Sequence, residues 1–252
     1  MSTRQTLRKW RLVIALGLAG LLAAYAFWVE PEWLQVKELR LSDKPTLTLA
    51  HISDLHYKGG KGRMLRMVDI INRRHPDVVC LTGDLVEDAA FLDELLGLLG
   101  KLDAPIVGVP GNHDHWSHAD FGQLKAAFGE KGGAWLLDEA ATVKGAAFFG
   151  ATEKDRAKPL PSGKPRVLLC HYPTVVDHLE GICYDLVLAG HTHGGQLRLP
   201  WYGALVLPYD SGEYDEGLFP VGGNRMHVSK GLGTWFIEAR FCCRPEITFI
   251  SL

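Results

Sequence analysis

Cysteines are few in this sequence, and none stands in a spacing typical of a metal or redox site. There are five, an odd number, and no two are separated by two residues. A thioredoxin-like Cys-x-x-Cys site is therefore excluded, and a framework of paired disulfides is not indicated. Cys80 and Cys170 lie in apolar runs, which predicts buried free thiols, and free thiols favour a reducing compartment. No cysteine has an activating neighbourhood, so none is assigned a catalytic role.

The sequence also lacks an excess of charge of either sign. It has 27 Lys and Arg against 29 Asp and Glu, which gives a net charge of −2. A nucleic-acid-binding surface carries a basic excess, so nucleic acid is not expected as a partner. The sequence has no internal repeat, and its 252 residues are enough for one α/β domain with a sizeable core or for two small domains.

The N-terminal 45 residues differ in composition from the rest of the chain. A basic flank over residues 1–11 precedes an uncharged apolar run over residues 12–29, and the acidic Glu30-Pro31-Glu32 follows it. A run of this length is just enough for one membrane span, and the basic flank is expected on the cytoplasmic side. The sequence therefore predicts a single-pass anchor at residues 12–29 in an inner or plasma membrane, with a juxtamembrane segment at residues 30–45.

The apolar run has two other interpretations. Ala24-Tyr25-Ala26 matches the small-x-small pattern of a cleaved signal peptide, which remains an alternative to the anchor. A buried core helix is disfavoured because the run has no polar face. The basic flank places the rest of the chain outside the cytoplasm, whereas the free thiols favour a reducing compartment. The sequence therefore leaves the side of the membrane open.

Residues 46–252 have the alternating pattern of an α/β catalytic domain. A strand is also expected within the preceding residues 32–44. Helical spacing of apolar residues predicts helices at 62–74, 89–102 and 118–128, and short apolar runs between them predict strands at 47–52, 77–81 and 105–109. Such βαβ units favour a largely parallel sheet. Further strands are predicted at 134–137, 142–149, 166–170, 186–189, 225–229 and 247–250, while 200–223 is expected to be a long ordered loop. The later strands suggest a second sheet packed on the first, hence an αββα sandwich.

Five short motifs rich in metal-binding side chains each follow an apolar run. They are Asp54-Leu55-His56, Gly83-Asp84, Gly111-Asn112-His113-Asp114, His171, and Gly190-His191-Thr192-His193-Gly194. Because ligands collect at the carboxyl ends of strands in such sheets, we expect these motifs to lie together. Together they offer enough side chains to bind two divalent cations, an arrangement that cleaves phosphate esters.

The spacing within the motifs suits shared metal ligands. Asp54 and His56 are two residues apart, so in extended backbone both project to the same side and can meet one cation. The carboxylate of Asp84 has two oxygens and can bridge two cations, and the glycine before it allows a tight turn beside them. His191 and His193 are also two residues apart, and their flanking glycines leave room for a phosphate.

The remaining motif residues supply a neutral ligand and two candidate catalytic groups. The Asn112 amide offers a carbonyl oxygen as a ligand, and His113 is placed to touch the substrate rather than a metal. Asp114 is a candidate for orienting His113 or another ligand. A lone histidine after a strand is more often structural than a ligand, so the assignment of His171 depends on the other motifs.

All five motifs, from about residue 47 to the C-terminus, resemble those of the calcineurin-like metallophosphoesterases. The resemblance implies a four-layer αββα sandwich with two metal sites. By resemblance the first metal is held by Asp54, His56, Asp84 and His193, and the second by Asp84, Asn112, His171 and His191, with Asp84 bridging. His113 would protonate the leaving group or stabilise the transition state.

These ligands imply a particular chemistry. Asp, His and Asn together suit Mn²⁺, Fe or Zn²⁺ better than Ca²⁺. Two such cations about 4 Å apart lower the pKa of a bridging water, and the hydroxide formed attacks phosphorus in line. We therefore expect a hydrolase of phosphodiesters or pyrophosphates that uses two divalent cations per chain and forms no covalent phosphoenzyme.

Within that family the chain resembles a membrane-anchored bacterial subgroup. The similarity rests on Ile52-Ser53-Asp54-Leu55-His56, on residues 190–200, on Lys230-Gly231-Leu232-Gly233 and on Pro245-Glu246-Ile247. Some members cleave the pyrophosphate of UDP-2,3-diacylglucosamine to lipid X and UMP in lipid A synthesis, and others are known only as phosphodiesterases. A lipid-linked nucleotide is therefore one expected substrate, and another cell-envelope phosphodiester is the alternative.

Four residues outside the motifs are candidate substrate contacts. Lys58 and Arg63 lie in the glycine-rich loop after the first motif, where they can meet a phosphate or a nucleotide. Arg198 is a further cation, and Trp201 begins an apolar stretch suited to acyl chains. A solvated loop and ordinary packing are the alternatives for these residues. A non-catalytic metal-binding scaffold is a third hypothesis for the whole chain, disfavoured because no ligand is missing, and the oligomeric state stays open.

Overall fold

The N-terminal segment is a long, exposed, apolar helix. The computed structural model describes residues 3–162 and 164–252, so the first two residues of the predicted basic flank lie outside it. Helix α1 spans Thr3–Ala24, and a π-helical turn (Tyr25–Val29) and a 3₁₀ turn (Glu30–Glu32) follow. Residues 9–32 have the length and composition of a membrane span. Their most apolar 18-residue stretch has a mean hydropathy of 2.3, and only 6% of that stretch is buried inside the protein. A signal sequence has the same features, so both predictions for this segment stand.

The first sheet combines strands from both ends of the chain. Its six strands are β1 (Gln35–Arg40), β2 (Thr48–Ile52), β3 (Val78–Thr82), β4 (Ile106–Val109), β5 (Ala134–Trp135) and β14 (Glu246–Ser251). Their order is β1-β14-β2-β3-β4-β5, with β2 to β5 parallel and β14 antiparallel to β2. The segment predicted as juxtamembrane thus contributes an edge strand to this sheet.

Helices between the parallel strands cover one face of this sheet. They are α2 (Lys61–Arg74), α3 (Leu92–Leu99), the short α4 (Asn112–Trp116) and α5 (Phe121–Glu130). Met64, Met67 and Ile71 of α2 recur at helical spacing and are buried against the sheet. The helix predicted at 118–128 begins later because the Asp120 carboxylate accepts hydrogen bonds from Gly122 and Gln123 and caps α5.

The second sheet also has six strands. They are β6 (Glu139–Val143), β7 (Ala146–Ala151), β8 (Arg166–Cys170), β9 (Leu186–Ala189), β12 (Gly217–Val221) and β13 (Asn224–Val228). Their order is β12-β13-β9-β8-β7-β6, with the four central strands parallel and the two edge strands antiparallel to their neighbours. A small hairpin of β10 (Arg198–Leu199) and β11 (Gly203–Ala204) lies outside both sheets.

The two sheets pack face to face, which confirms the predicted sandwich. Apolar side chains of the first sheet, such as Leu49 and Val78, meet Phe148 and Val167 of the second in one buried cluster. The outer face of the second sheet packs against the 3₁₀ segment Pro173–His178. Within the described residues, the outer layer on the second sheet is thus a 3₁₀ segment, although α-helices were expected there.

Three strand predictions and one loop prediction need correction. Residues 142–149 form a hairpin rather than one strand, because Lys144 and Gly145 turn the chain with φ values of 50° and 81°. The strands at 134–137 and 247–250 are predicted to belong to the second sheet, but β5 and β14 both lie in the first sheet, with β14 between β1 and β2. The expected loop at 200–223 contains β11 and β12. Strand order depends on contacts distant in sequence, which local apolar patterns do not encode.

Candidate metal centre

The predicted motifs meet at one edge of the sandwich, where parallel strands of both sheets end. Asp54 and His56 follow β2, Asp84 follows β3, and Asn112 follows β4. In the second sheet His171 follows β8, and the histidines at 191 and 193 follow β9. The carboxyl ends of parallel strands are the usual location of ligand sites in α/β folds.

Several of these residues have a strained backbone conformation. The φ values of Asp54 (50°), His56 (41°), Asp84 (55°), His191 (70°) and His193 (52°) all lie in the left-handed region. Non-glycine residues rarely adopt this conformation, and such strain is concentrated at functional sites. The left-handed turns break the strand geometry on which the i, i+2 argument relied. The side chains nevertheless converge, because neighbouring loops fix each turn.

Two glycines allow these loops to approach closely. A Cβ atom on Gly190 would lie 1.9 Å from the Ser53 hydroxyl and 2.6 Å from the Asp54 carboxylate. A Cβ atom on Gly111 would lie 2.1 Å from the Asp84 carboxylate. Both positions therefore exclude any side chain, and the two sheets supply ligands to one compact site.

One group of ligand atoms comes from both sheets. The Nε2 atoms of His56 and His193 are 3.0 Å apart, and His193 Nε2 lies 3.6 Å from Asp54 Oδ1. These three side chains are buried, and their ligand atoms lie within 4.8 Å of one another. Converging imidazole and carboxylate atoms of this kind are a divalent-cation ligand set.

A second group adjoins the first. Asp84 Oδ2 lies 3.3 Å from His171 Nε2 and 3.5 Å from His56 Nε2, so it lies between the two groups. His171 Nε2 is also 3.1 Å from Asn112 Oδ1 and 3.2 Å from His191 Nδ1. The residues given to the second metal thus converge on the Nε2 atom of His171, with Asp54 also close to Asp84 and His171, and Asp84 lies between the two groups.

Burial makes this cluster a site for positive charge. Asp54 and Asp84 are fully buried beside each other, and isolated buried carboxylates are costly unless cations neutralise them. Burial lowers the pKa of His171, but the charge and hydrogen bond of Asp84, together with the Asp54 charge, raise that pKa to about 9. Burial and the neighbouring His171 lower the pKa of His191 to about 4. The donor atoms and the excess of buried negative charge fit two divalent cations.

Glu87 is a site residue that the sequence analysis missed. Its carboxylate contacts His56 Nδ1 and lies 3.3 Å from His113 Nδ1. Hydrogen bonds from these two histidines hold the pKa of Glu87 below its usual range. A carboxylate behind a ligating histidine fixes the tautomer and orientation of the ring. The sequence signal that could have identified it is its location three residues after Asp84, on the same loop.

His113 lies at the edge of the cluster and contacts both the ligands and the open cavity. Its ring is edge-on to His56 at 4.6 Å between centroids, and the Trp116 ring lies tilted against it at 4.8 Å. The ligand atoms of His56, Glu87 and His113 also lie within 4.8 Å of one another. This half-buried location suits a group that meets substrate, and it also permits metal binding.

Asp114 contacts the backbone of another predicted ligand, Asp84, rather than the His113 ring. Its carboxylate is fully buried and accepts backbone hydrogen bonds from Asp84 (2.8 Å), Leu85 (2.7 Å) and Gly111 (2.9 Å). Both oxygens are directed to the backbone, so Asp114 neither contacts the His113 ring nor enters the cavity. It is a positioning residue that holds the Asp84 turn against the Gly111 loop.

The four candidate substrate contacts are directed elsewhere. Lys58 pairs with Glu238, and Arg63 lies 3.4 Å from the Pro31 carbonyl on the juxtamembrane segment. Arg198 donates to the Gly194 carbonyl and to Asp215, each at 2.8 Å, while Trp201 is fully exposed on the β10–β11 turn. Arg198 thus contacts the loop that carries His191 and His193, through the Gly194 carbonyl.

Two cavities meet at the cluster. A cavity of about 280 Å³ lies over Asp84, His113 and His191 and has Tyr172 and Tyr209 in its wall. A second cavity of about 380 Å³ is lined mainly by apolar side chains: Leu197, Leu205, Val206, Trp235, Phe236 and Ile237. His193, Pro208 and Trp235 line both. A polar reaction site therefore adjoins a largely apolar compartment.

Known proteins share this sequence pattern and this fold. A family model described as calcineurin-like phosphoesterase matches residues 47–195. Phosphodiesterase YaeI of Escherichia coli strain K12 is 29% identical over 251 residues, which cover 90% of this chain and 92% of that protein. The UDP-2,3-diacylglucosamine pyrophosphatase LpxG of Chlamydia trachomatis is 33% identical over 122 residues, 44% of this chain and 37% of that protein.

A solved structure agrees with the layer arrangement. The crystal structure of TT1561 from Thermus thermophilus has a TM-score of 0.50 at 12% identity and covers 74% of this chain and 90% of that one. The match to the family model includes every predicted ligand, from Asp54 to His193. The chain belongs to the calcineurin-like phosphoesterase family and is a metal-dependent phosphoester hydrolase.

Proposed function

We propose that this protein is a membrane-associated, two-metal phosphodiesterase or pyrophosphatase whose substrate carries an apolar group. In this proposal Asp54, His56, Asp84 and His193 hold the first cation, and Asp84, Asn112, His171 and His191 hold the second. The two cations, which Mn²⁺, Fe or Zn²⁺ would suit, supply Lewis acidity for the attack of water on phosphorus.

The protein's own residues position the substrate and transfer a proton. His113 faces the cavity over the cluster, and its ring is 3.3 Å from Glu87, which stabilises the protonated form. Burial lowers the pKa of His113. The hydrogen bond to Glu87 and the charges of Asp84 and Glu87 together raise it by a larger amount, so the net shift is upward. His113 is thus suited to donate a proton to the leaving oxygen. Tyr172 and Tyr209 line the same cavity and would contact the ester.

The observation that carries the substrate proposal is the apolar cavity beside the cluster. It shares His193 and Trp235 with the reaction cavity, so one molecule can place a phosphate at the metals and a hydrocarbon group among Leu205, Val206 and Ile237. A soluble sugar phosphate has no apolar group that would gain from this compartment. Burial of apolar surface there favours a lipid-linked substrate.

UDP-2,3-diacylglucosamine is one specific candidate, because the similar LpxG protein is named for its cleavage. Its products would be lipid X and UMP. A different envelope phosphodiester is the alternative, favoured if the domain lies outside the cytoplasm. That placement follows from the basic flank of an uncleaved helix α1, whereas the free cysteines favour the cytoplasmic side.

The test compares substrates that differ only in their apolar part. The full-length, detergent-solubilised, Mn²⁺-loaded protein is assayed on UDP-2,3-diacylglucosamine analogues of decreasing acyl length, beside bis-p-nitrophenyl phosphate. Each methylene that leaves the cavity is expected to lower kcat/KM by about fourfold, which corresponds to about 0.8 kcal/mol. The Asp84→Asn variant serves as the inactive control.

The outcomes separate the parts of the proposal. Release of UMP that weakens with shorter chains supports both the nucleotide-lipid substrate and the use of the cavity. Turnover of the generic ester alone supports the metal centre and moves the search to other envelope phosphodiesters. If kcat/KM is independent of acyl length, the cavity does not bind the lipid. If the protein binds fewer than two Mn²⁺ ions by elemental analysis, the two-metal assignment is wrong.

A further inference from the structure

The base of the N-terminal helix is built into the folded domain. The buried Glu30 carboxylate accepts hydrogen bonds from the backbone N–H groups of Cys242, at 3.0 Å, and Cys243. The backbone N–H of Arg240 donates to the Ala26 carbonyl at 2.9 Å. The Tyr25 ring packs edge-on against a phenylalanine of the same C-terminal segment. Helix α1 therefore leaves the domain in a fixed direction instead of through a free tether.

The segment that holds this helix also contacts the candidate metal centre. Cys243 Sγ lies 3.3 Å from the carbonyl oxygen of His193. The buried Arg240 guanidinium donates to the carbonyls of Lys230, at 2.8 Å, and Gly233, at 2.6 Å. The orientation of α1 is thus set by residues that pack directly beside a metal-binding loop.

Exposed apolar side chains lie on the base of α1 and on the segments that contact it. Trp201 and Phe236 are almost fully exposed, at 104% and 95% of their reference areas. Their segments are contiguous with the helix base, because Leu197 pairs with Phe241 and the Gln196 amide donates to the Ile237 carbonyl at 3.0 Å. The apolar rim, as we name this surface, consists of Phe27, Trp28, Leu199, Trp201, Tyr202 and Phe236.

The composition and location of the rim indicate what covers it. Contiguous apolar patches on a soluble surface are rare and mark interaction sites. Trp and Tyr, which make up half of the rim, are the residues enriched where proteins meet the membrane interface. Helix α1, which is long and apolar enough to cross a bilayer, leaves the domain at this surface. A bilayer that α1 crosses would therefore reach the rim.

We propose that the apolar rim rests in the membrane interface when α1 spans the bilayer, and that the apolar cavity opens toward the lipid there. Phe236 belongs to the rim and also lines the cavity, next to the exposed Val206. A lipid could then enter from the side, without leaving the bilayer for water. This inference rests on the membrane association contained in the proposed function, but it requires no particular substrate.

The test uses the full-length chain in nanodiscs of phosphatidylethanolamine and phosphatidylglycerol, with one chain in each disc. The exposed native thiols are first removed with Cys183→Ser and Cys242→Ser, which keep the backbone donor to Glu30. An environment-sensitive nitrobenzoxadiazole dye is then attached to Trp201→Cys. Matched probes go on Leu18→Cys, within α1, and on Lys144→Cys, at the turn that precedes β7 and lies at the opposite end of the sheet.

We expect the dye at position 201 to shift to the blue and to lose fluorescence when quencher-labelled lipids are included. The dye at position 144 should show neither change. A quenched dye at 18 with an unquenched dye at 201 overturns the rim proposal alone. An unquenched dye at 18 means that α1 does not insert, which overturns membrane association itself. A blue shift at 201 without lipid quenching means that protein, not lipid, covers the rim.

A second variant tests the role of the fixed helix base. Glu30→Ala removes the acceptor for two backbone N–H groups and should let the domain tilt away from the bilayer. Lipid quenching at position 201 is then expected to fall while quenching at position 18 stays at its original level. Equal quenching at position 201 with Glu30 and with Glu30→Ala would show that the rim reaches the bilayer without this contact. That result would contradict the inference that the fixed helix base orients the domain.

Discussion

Replacement of Glu87 should weaken metal binding although Glu87 is not assigned as a ligand. Its carboxylate contacts Nδ1 of His56, whose Nε2 atom is directed toward Asp84 and His193. Without an acceptor, the buried Nδ1–H group of His56 loses its partner, which costs about 1–3 kcal/mol. Because each 1.4 kcal/mol is a factor of ten, Glu87→Ala should lower the affinity for one cation by about 10- to 100-fold.

A graded pair of variants separates the hydrogen bond from the charge. Glu87→Gln keeps an oxygen acceptor and loses only the charge, which is about a third exposed and therefore screened. Glu87→Gln should therefore lower the affinity for that cation by about tenfold or less. Glu94→Gln is the matched control, because Glu94 pairs with Tyr57 and Lys61 away from the cluster. That control should bind cations as the natural protein does.

The assay is calorimetric titration of Mn²⁺ into chelator-treated, full-length protein in detergent. Two binding events are expected, and only one of them should weaken in Glu87→Ala, because the carboxylate contacts His56 and no histidine assigned to the second site. An affinity within twofold of the natural protein at both sites would refute the reasoning. Equal weakening at both sites would instead mean that Glu87 supports the whole cluster.

Other substitutions test other parts of the site and the core. Asp84→Asn should abolish metal-dependent hydrolysis of bis-p-nitrophenyl phosphate, and full turnover would contradict the bridging assignment. His113→Ala should lower turnover while elemental analysis still finds two metals; loss of one metal would make it a ligand. Glu246→Gln should lower the free energy of unfolding in urea by about 3 kcal/mol at pH 7, since Glu246 is buried between Lys37 and Lys230. Burial raises the pKa of Glu246, but His227 and the two lysines together lower it by more, so the net shift is downward. The stabilisation is therefore complete above pH of about 4.3 and should diminish as the pH falls below that value.

The sequence predicted the parts of the fold that depend on local pattern. Short apolar runs and helical periodicity located β2, β3, β8 and β9 within about a residue, because burial on both faces leaves a continuous apolar signal. The order of the strands within the sheets could not be predicted from these local patterns. Strand β14 lies between β1 and β2, about two hundred residues away in sequence, and no local pattern specifies such a pairing.

The candidate ligands were predictable because chemistry restricts them to a few residue types. Their partners were not, since a carboxylate such as Glu87 or Asp114 has the same appearance in a sequence whether it faces a histidine, a backbone amide or water. Lys58 and Arg63 illustrate the converse error. Both are close to the first motif in sequence, yet their side chains turn to Glu238 and to the Pro31 carbonyl.

The metal centre is also supported from inside the sandwich, by polar residues that a sequence pattern would class as core. The carbonyl oxygen of Thr82 accepts from His171 Nδ1 at 2.8 Å and thereby fixes the ring whose other nitrogen is directed to the cluster. The Thr82 hydroxyl is 2.9 Å from His51 Nε2, and His51 Nδ1 is 2.8 Å from His227. These groups are buried, so each needs its neighbour to remain satisfied. The orientation of His171 therefore depends on contacts that cross from one sheet to the other, which is why the centre requires the complete sandwich.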